Sequence, residues 1–257
     1  MALNPRITDW TGRRVWILGA SAGIGAALAR ELLRRGARVA GTARNAEALA
    51  RVLGGSPETL ALPGDVTRPE TIAAARDRIV AAWGGIDVAV FMAGTYSAAR
   101  AWEVPVEGAR QEVEINLMGA FNGVATLLPQ LLQQGRGALV LVSSVAGYRG
   151  LPNSLVYGAT KSALINMAET LYLDLAPRGV AVYLVNPGFV RTPLTDRNTF
   201  RMPALIEADE AARRIADGME AGRFEIHFPR RFTGWLKLLE VLPYRWYFAA
   251  VRRFTGL

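Results

Sequence analysis

The stretch VWILGASAGIGAALARELLRRG, residues 15–36, decides the fold of this chain. A short apolar run leads into a turn with three glycines, Gly19, Gly23 and Gly25, and apolar residues at helical spacing follow until Gly36. A strand, a glycine turn and a helix in this order let a helix N-terminus bind a phosphate group. The spacing G-x-x-x-G-x-G also suits a plain strand-to-helix turn whose glycines serve packing, and both interpretations stay open at this point.

The same alternation of apolar strands and longer helical patterns continues along most of the chain. Strands that are apolar throughout belong to a parallel sheet covered on both faces. The pattern therefore predicts a doubly wound, Rossmann-type α/β fold, a single domain with about seven parallel strands and helices on both faces. We assign residues 1–228 to this domain and residues 229–257 to a C-terminal tail. Strands are predicted at residues 15–20, 37–43, 59–66, 86–94, 138–144, 180–188 and 223–229.

The composition excludes several kinds of site. The chain is 51% hydrophobic and 20% charged, which is typical of a globular protein. It has no cysteine, so we expect no disulfide or thiolate metal site, and this fits a reducing compartment. The only histidine, His227, lies in a predicted strand, where a structural role is expected, and no metal site is expected. The N-terminus lacks an apolar run and no stretch reaches the ~18 uncharged apolar residues of a spanning helix, so we expect a cytoplasmic protein.

The end of the second predicted strand bears on the choice of cofactor. Dinucleotide enzymes that prefer NAD place an acidic residue here, whereas this chain has Ala43 followed by Arg44. A guanidinium binds a 2′-phosphate with a forked pair of donors, so the sequence favours NADP(H) over NAD(H). The alternative is a solvated arginine at a helix start. Ser21 and Asn45 are expected to donate to phosphate, and Asp65 either caps the next turn or accepts from the adenine amino group.

The segment SLVYGATKSAL, residues 154–164, places Tyr157 and Lys161 four residues apart in a predicted helix. Residues at this spacing lie on the same helix face, so the phenol and the ammonium are neighbours. They form either an ordinary surface pair or a device for proton transfer. Ser144 ends the fifth predicted strand, and ligands bind at the carboxyl ends of strands in open α/β sheets.

Taken together, residues 13 to about 228 resemble the short-chain dehydrogenase/reductase family. The matching segments are GASAGIG, GDVT, MAG (92–94), IN (115–116), LVSS (141–144), YGATK (157–161) and NPGFVRT (186–192). The resemblance implies a catalytic tetrad of Asn116, Ser144, Tyr157 and Lys161. It implies cofactor contacts from Gly19, Ser21, Gly23, Ile24, Gly25, Arg44, Asn45, Asp65, Val66, Ala93, Gly94, Tyr157, Lys161, Pro187, Gly188, Val190 and Thr192.

The resemblance also implies a role for each residue of the tetrad. Tyr157 is expected to be the general acid/base, and its pKa, ordinarily about 10, is expected to be lowered by the Lys161 ammonium and the oxidised nicotinamide. Lys161 is expected to hold the nicotinamide ribose as well. Ser144 donates to the substrate oxygen as charge develops there. Asn116 holds a water that links Lys161 to solvent.

Two positions depart from the family pattern. The family usually has threonine where this chain has Leu18, and asparagine where it has Phe91. Both usual residues make structural hydrogen bonds around the cofactor loops, although neither takes part in the chemistry. The departures motivate a hypothesis of a different class, an NADP-binding membrane-associated or regulatory protein with little catalysis.

The segment 189–206 follows the sixth strand and corresponds to the part of the family fold that closes over substrate. Its apolar residues indicate an apolar pocket, although plain loop packing explains them equally well. The sequence thus favours an NADP(H)-dependent oxidoreductase that interconverts a lipophilic carbonyl and a secondary alcohol. The alternative within enzymes is a β-ketoacyl-CoA or carrier-protein reductase. The apolar lid residues are Phe189, Leu194, Phe200, Met202 and Leu205.

The C-terminal tail is rich in basic and aromatic residues. It holds six of the chain's Lys and Arg residues and a single Glu, a net charge of +5 against +8 for the whole chain, and Pro243 divides it into two amphipathic segments. This composition suits contact with a membrane surface, here the inner face of a membrane. The alternative is a helical arm packed on the domain or on a second subunit. No nucleic-acid partner is expected because no binding motif accompanies the charge, and the family resemblance favours a homo-dimer or tetramer.

Overall fold

The computed structural model describes residues 2–196 and 202–256. Strands and helices alternate along the chain as the sequence predicts. The strands are β1 (Arg14–Leu18), β2 (Arg38–Ala43), β3 (Thr59–Pro63), β4 (Val88–Phe91), β5 (Gly137–Val142), β6 (Val180–Pro187), β7 (Val190–Arg191), β8 (Ile206–Glu207) and β9 (Glu225–Phe228). The α-helices are α1 (Gly23–Arg34), α2 (Ala46–Leu53), α3 (Pro69–Trp83), α4 (Val106–Val113), α5 (Gly119–Gln134), α6 (Leu155–Leu175), α7 (Ala208–Glu220), α8 (Arg230–Glu240) and α9 (Tyr244–Thr255).

The main sheet of the described chain has seven strands in the order β3-β2-β1-β4-β5-β6-β9, and every neighbouring pair is parallel. The order reverses between β1 and β4, which creates a crevice at the carboxyl ends of these strands. The predicted Rossmann-type, single-domain fold is confirmed. A short parallel pair, β7 with β8, lies outside the main sheet and was not predicted.

Side chains alternate between the two faces of each strand and enter two separate cores. On β1, Ile17 belongs to the core beneath α1, α2 and α7, while Trp16 belongs to the core beneath α3, α5 and α6. Both side chains have no exposed surface. Because each face of the sheet is covered, the central strands β1, β4, β5 and β6 are apolar at most positions, which explains the apolar runs in the sequence.

The helical stretch after β4 is divided into two α-helices. A π-helical turn, Glu114–Met118, separates α4 from α5. The full stretch Val106–Gln134 is long and apolar enough to cross a membrane by length and composition alone. However, Leu127 and Leu131 are buried against the sheet, so its apolar face belongs to the protein core.

The C-terminal helices α8 and α9 pack on the domain. Arg149, in the loop after β5, donates to the carbonyl oxygens of Leu239 and Leu242 at 2.8 and 2.6 Å, and its guanidinium lies 4.1 Å from the ring centre of Tyr247. The hydroxyl of Tyr247 donates to the carbonyl of Gly150. One side of the C-terminal arm, α8 and α9, is therefore packed on the domain, as the second of the two interpretations of the tail expects.

The inner side of α8 is held by polar contacts as well. Glu225 accepts from Tyr148 at 2.6 Å and from Asn186 at 2.9 Å, and it pairs with Lys237 of α8. The imidazole of His227 bonds the hydroxyl of Thr233 at 2.6 Å, and this contact fits the structural role expected for the histidine.

Candidate active site

In the glycine turn after β1, the backbone passes very close to the loop after β4 and to the start of α1. Gly19 has φ +103°, and a side chain there would place its Cβ 2.7 Å from the amide nitrogen of Ala93. At Gly25 a Cβ would lie 2.0 Å from the carbonyl oxygen of Gly19. Both positions therefore require glycine for the turn to close over the start of α1.

The first turn of α1 leaves its backbone donors free. Its N-cap residue, Ala22, makes no side-chain capping bond within the described chain, and the first turn has no acidic residue. A Cβ on Gly23 would lie 3.1 Å from the methyl group of Thr192, so this part of the turn forms a narrow slot beneath the lid. Uncapped amides at a helix N-terminus fit an anionic pyrophosphate. Ile24 is half-buried, and Ser21 at the mouth of the turn is half-exposed.

Arg44, Asn45 and Asp65 are the residues expected near the adenosine part of the cofactor, and two of them already make structural hydrogen bonds. Arg44 is exposed directly after β2. Asn45 caps α2 by accepting from the amide of Ala48 at 2.9 Å, so its side-chain oxygen already has a structural role. Asp65 accepts from the amide and hydroxyl of Thr67 at 3.0 and 2.9 Å. Burial raises the pKa of Asp65, but these bonds and the charge of Arg44 hold it below its ordinary value.

The two departures from the family pattern lie side by side. Leu18 and Phe91 are partners in the β1–β4 register. A Cβ on Gly123 would lie 2.3 Å from the Phe91 ring, so the absence of a side chain at residue 123 makes room for it. Backbone bonds still hold the loop ends, from Gly19 to Thr42 at 2.8 Å and from Met92 to Leu18 at 2.9 Å. An apolar pair has thus replaced polar residues without opening the turn.

The residues of the expected tetrad converge at the carboxyl ends of β4 and β5. Lys161 is buried, and its ammonium lies 5.5 Å from the ring centre of Tyr157 on the preceding turn of α6. It donates to the carbonyl oxygen of Val142 at 3.0 Å. Spacing, helix and orientation agree with the sequence prediction.

Ser144 faces the phenol of Tyr157, whereas Ser143 points away. The hydroxyl of Ser143 donates to the backbone carbonyl of Lys161 at 2.7 Å and is buried, which is a structural contact. Ser144 accepts from the amide of Ala146 at 3.2 Å and lowers the pKa of Tyr157 by hydrogen bonding. This arrangement supports the choice of Ser144 over its neighbour.

The expected lowering of the Tyr157 pKa is not found in the protein chain alone. Burial raises the pKa of Tyr157 to about 12, and it lowers the pKa of Lys161 to about 8. Desolvation disfavours the charged form of each group. In the chain without cofactor, burial thus outweighs the other effects on Tyr157, and the lowering expected with the oxidised nicotinamide bound stays a prediction.

Asn116 sits in the π-helical turn and is almost completely buried. Its side-chain oxygen accepts from the amide of Thr95 at 2.7 Å, and its nitrogen donates to the carbonyl of Thr95 at 2.9 Å and to the hydroxyl of Thr160 at 3.2 Å. A Cβ on Gly94 would lie 3.4 Å from the Asn116 oxygen and 3.7 Å from the Lys161 ammonium. The side chain of Asn116 therefore joins α6 to the loop after β4 by hydrogen bonds. Its expected role of holding a water stays a prediction.

The segment expected to frame the nicotinamide follows β6. Pro187 and Val190 are buried. The amide of Gly188 donates to the carbonyl of Phe228 at 2.7 Å, and the ring of Phe232 on α8 packs directly against this glycine. At the start of the lid, the amide of Thr192 donates to the hydroxyl of Thr195 at 3.0 Å, and the hydroxyl of Thr192 accepts from the amide of Thr195 at 3.4 Å. On the opposite wall, Val66 and Ala93 line a small cavity beneath the turn with Leu18 and Phe91.

The lid is described at its two ends. Its base is the β7–β8 pair, and Leu194, Met202 and Leu205 are half-buried. The ring of Phe189 lies 5.7 Å from that of Phe232, so the lid begins against the C-terminal arm. Phe200, one of the predicted apolar lid residues, lies outside the described residues.

Sequence reasoning missed several residues of this site. Tyr96 packs edge-to-face on Tyr157 with ring centres 4.9 Å apart, and Glu112 is buried nearby. Thr160 donates to the carbonyl of Tyr157 at 2.8 Å. Helical spacing holds a signal for Glu112, since it precedes Asn116 by four residues, about one helical turn.

Comparison with known proteins assigns this architecture and site to a family. The family model described as short chain dehydrogenase matches residues 13–201, more than half of the chain. The chain therefore belongs to the short-chain dehydrogenase family of oxidoreductases, whose fold binds NAD(P). It is an enzyme, as the sequence predicts.

The relatives and solved structures agree with this assignment. An uncharacterized oxidoreductase of Myxococcus xanthus is 36% identical and covers 96% of this chain and 99% of its own length. The 3-oxoacyl-acyl-carrier-protein reductase FabG of Escherichia coli is 31% identical, covering 82% of this chain and 87% of its own.

Two crystal structures show the fold with different cofactors. A short chain dehydrogenase from Burkholderia cenocepacia in complex with NADP is 28% identical with a TM-score of 0.84, covering 95% of this chain and 98% of its own. A short chain dehydrogenase/reductase from Burkholderia phymatum in complex with NAD is 25% identical with a TM-score of 0.82, covering 90% and 93%.

Proposed function

We propose that this enzyme interconverts a ketone and a secondary alcohol with NADP(H), and that Tyr157 is its general acid/base. The observation that carries the proposal is the meeting of Ser144, Tyr157 and Lys161 at strand ends beside an uncapped helix N-terminus. The nicotinamide, when bound, supplies the hydride. The glycine turn and α1 would hold its pyrophosphate, and the Gly188 segment would border its ring.

The remaining steps belong to the protein side chains. Hydride addition gives the carbonyl carbon two electrons, the carbon–oxygen π bond breaks, and its electron pair moves to oxygen. Ser144 donates to this oxygen and stabilises the developing charge. Tyr157 transfers its proton to the same oxygen, which yields the alcohol. Lys161 stabilises the phenolate that forms, and Asn116 fixes the loop after β4 against α6.

NADP(H) preference is supported by Arg44, exposed at the end of β2 with no acidic residue at the preceding position. Replacing Arg44 with aspartate should weaken NADPH binding by about 10- to 100-fold, because a charge-assisted hydrogen bond contributes about 1.5–3 kcal/mol. NADH binding should change little. The measurement is a fluorescence titration with each cofactor.

Arg51→Asp is the matched control for this change, since Arg51 is an exposed arginine near the other end of α2. It should leave both affinities unchanged. Tighter binding of NADH than NADPH by the unmodified enzyme would contradict the assignment of Arg44.

A lipophilic substrate is supported by the half-buried lid residues Leu194, Met202 and Leu205. The test is a panel of small polar ketones, long-chain ketones and polycyclic ketones, assayed with NADPH and with NADH. Activity that increases with the apolar size of the ketone supports the proposal. Activity confined to small polar ketones rejects the lipophilic part of it.

A second candidate is reduction of a β-ketoacyl group on coenzyme A or a carrier protein. Similarity to the carrier-protein reductase of Escherichia coli favours it. Competition between acetoacetyl-CoA and a free ketone separates the two candidates. A third outcome, NADPH binding without turnover of any carbonyl, would favour a binding or regulatory protein.

We also propose that the outer side of the C-terminal arm contacts an anionic membrane surface, at the cytoplasmic face. Trp235 and Trp246 are 69% and 65% exposed, and Phe254 is 80% exposed. They stand among the exposed arginines Arg245 and Arg253. Exposed aromatics interspersed with cations suit the boundary between lipid headgroups and acyl chains.

Alanine at both Trp235 and Trp246 should remove most binding to vesicles of mixed phosphatidylcholine and phosphatidylglycerol, measured by co-sedimentation. Salt should weaken binding of the unmodified enzyme because exposed charges are screened. Trp102→Ala is the control, since Trp102 is 76% exposed and lies outside the arm. The unmodified enzyme should bind these vesicles. If it does not, and if light scattering shows a dimer or tetramer that dissociates in the double variant, the exposed aromatic surface belongs to an interface with a second subunit.

A further inference from the structure

Glu112 is a buried carboxylic acid beside the candidate catalytic residues, and the chemistry proposed above gives it no task. It lies in the last turn of α4 and is 3% exposed. Among residues 2–196 and 202–256, its Oε1 atom has no hydrogen-bond partner. A carboxylate taken out of water without full compensation is costly, so its position needs an explanation.

Helix register places Glu112 beside Tyr157. The side chain of Asn116 bonds the hydroxyl of Thr160 on α6 at 3.2 Å, and this contact fixes α6 against the π-helical turn that continues α4. Glu112 precedes Asn116 by four residues, just as Tyr157 precedes Lys161 by four. Glu112 and Tyr157 thus each lie about one helical turn before the contact between Asn116 and Thr160, and the charge of Glu112 acts on both Tyr157 and Lys161.

The charged and titratable groups around Glu112 come from two elements in the described chain. Helix α6 contributes Tyr157 and Lys161, and the loop after β4 contributes Tyr96 together with the amide of Ser97. Burial lowers the pKa of Lys161, and the negative charge of Glu112 opposes this effect. The same charge adds to burial in raising the pKa of Tyr157. Burial raises the pKa of Glu112 itself, while Lys161 lowers it.

We propose that Glu112 is a positioning residue that acts through its charge: as a buried carboxylate it holds both Tyr157 and Lys161 in their protonated forms. This state can donate a proton to a carbonyl oxygen. A carboxylate favours the neighbouring ammonium and disfavours the neighbouring phenolate, so both effects have the same sign. The inference rests on the proposed function only for its catalytic meaning, since the protonation of Lys161 can be measured without turnover.

The chain offers a direct measurement because Lys161 and Lys237 are its only two lysines. In protein labelled with [ε-13C]lysine, Lys237→Arg leaves one signal, that of Lys161, whose titration is followed by NMR without cofactor or substrate. We expect Lys161 to titrate near pH 8 in the parent protein. In Glu112→Gln the midpoint should fall, and Glu112→Asp should restore most of the shift.

Glu114→Gln is the matched control, because Glu114 lies two residues away in the π-helical turn and is exposed. It should leave the midpoint unchanged. In the assay of carbonyl reduction, the alkaline limb of the kcat/KM profile should move to lower pH by roughly half to one unit in Glu112→Gln, because a charge near the reacting groups is lost.

The outcomes separate the two proposals. An unchanged Lys161 midpoint in folded Glu112→Gln, with folding checked by its thermal transition, overturns the role of Glu112 whatever the enzyme's substrate. A lowered Lys161 midpoint with an unchanged kcat/KM profile also overturns the role of Glu112, because its charge would then have no effect on proton transfer. A lowered midpoint in an enzyme whose turnover does not depend on Tyr157 supports the electrostatic coupling and overturns the proposed function instead.

Discussion

Phenylalanine at Tyr157 should reduce turnover of the best carbonyl substrate by about 10²- to 10⁴-fold, the range that general acid–base catalysis contributes. The change removes a single oxygen from a half-buried ring, and the packing of that ring on Tyr96 is kept. NADPH affinity should therefore change by less than about tenfold, which corresponds to 1.4 kcal/mol. Steady-state kinetics give the first quantity and fluorescence titration gives the second.

Tyr96→Phe is the matched control, since it removes the phenol oxygen of the ring that packs on Tyr157. The hydroxyl of Tyr96 donates to the carbonyl of Asn153 at 3.3 Å, a long and weak bond. This variant should keep most of the turnover. Equal losses in both variants would mean that ring environment, and not proton transfer, explains the effect, and the proposed role of Tyr157 would fail.

Alanine at Gly25 should weaken NADPH binding by at least about 100-fold and lower the free energy of unfolding by about 1–3 kcal/mol, the usual cost of overpacking. The added Cβ would lie 2.0 Å from the carbonyl oxygen of Gly19, and neither backbone can yield without moving the first turn of α1. The amides that would hold the pyrophosphate move with it. Thermal unfolding and cofactor titration measure the two effects.

Gly234→Ala is the control for this change, because it adds the same methyl group where there is room for it. Gly234 lies within α8, and a Cβ there meets no atom within 4 Å. Alanine should raise the free energy of unfolding by about 0.5–1 kcal/mol, because glycine is unfavourable inside a helix. A Gly25→Ala protein that binds NADPH like its parent would contradict the placement of the phosphate at this turn.

Local patterns were sufficient for the main sheet and for the placement of Tyr157 and Lys161 on one helix. The central strands of the main sheet are runs of mostly apolar residues because both faces are covered, and this property is visible in the sequence without knowledge of the partner strands. The spacing of Tyr157 and Lys161 is a helix property and was predicted correctly. Ser144 lies two residues after the end of β5 at Val142, and its choice as a site residue depended on the family resemblance.

Tertiary effects explain what the sequence did not predict. The π-helical turn at Asn116 depends on contacts with Thr95 and Thr160, which are 21 and 44 residues away in the chain. The direction of the Tyr157 pKa shift depends on how much water reaches the phenol. The docking of α8 depends on Glu225 of β9 and Arg149 of the loop after β5, and the periodicity of the sequence does not indicate such partners.

The contact between Phe91 and Gly123 couples two positions that are 32 residues apart in the chain. A Cβ at residue 123 would lie 2.3 Å from the phenylalanine ring, so a side chain there requires the ring to move. A smaller residue at 91 would leave an unfilled space beneath the glycine turn. Each of the two positions therefore limits the size of the side chain that the other can hold.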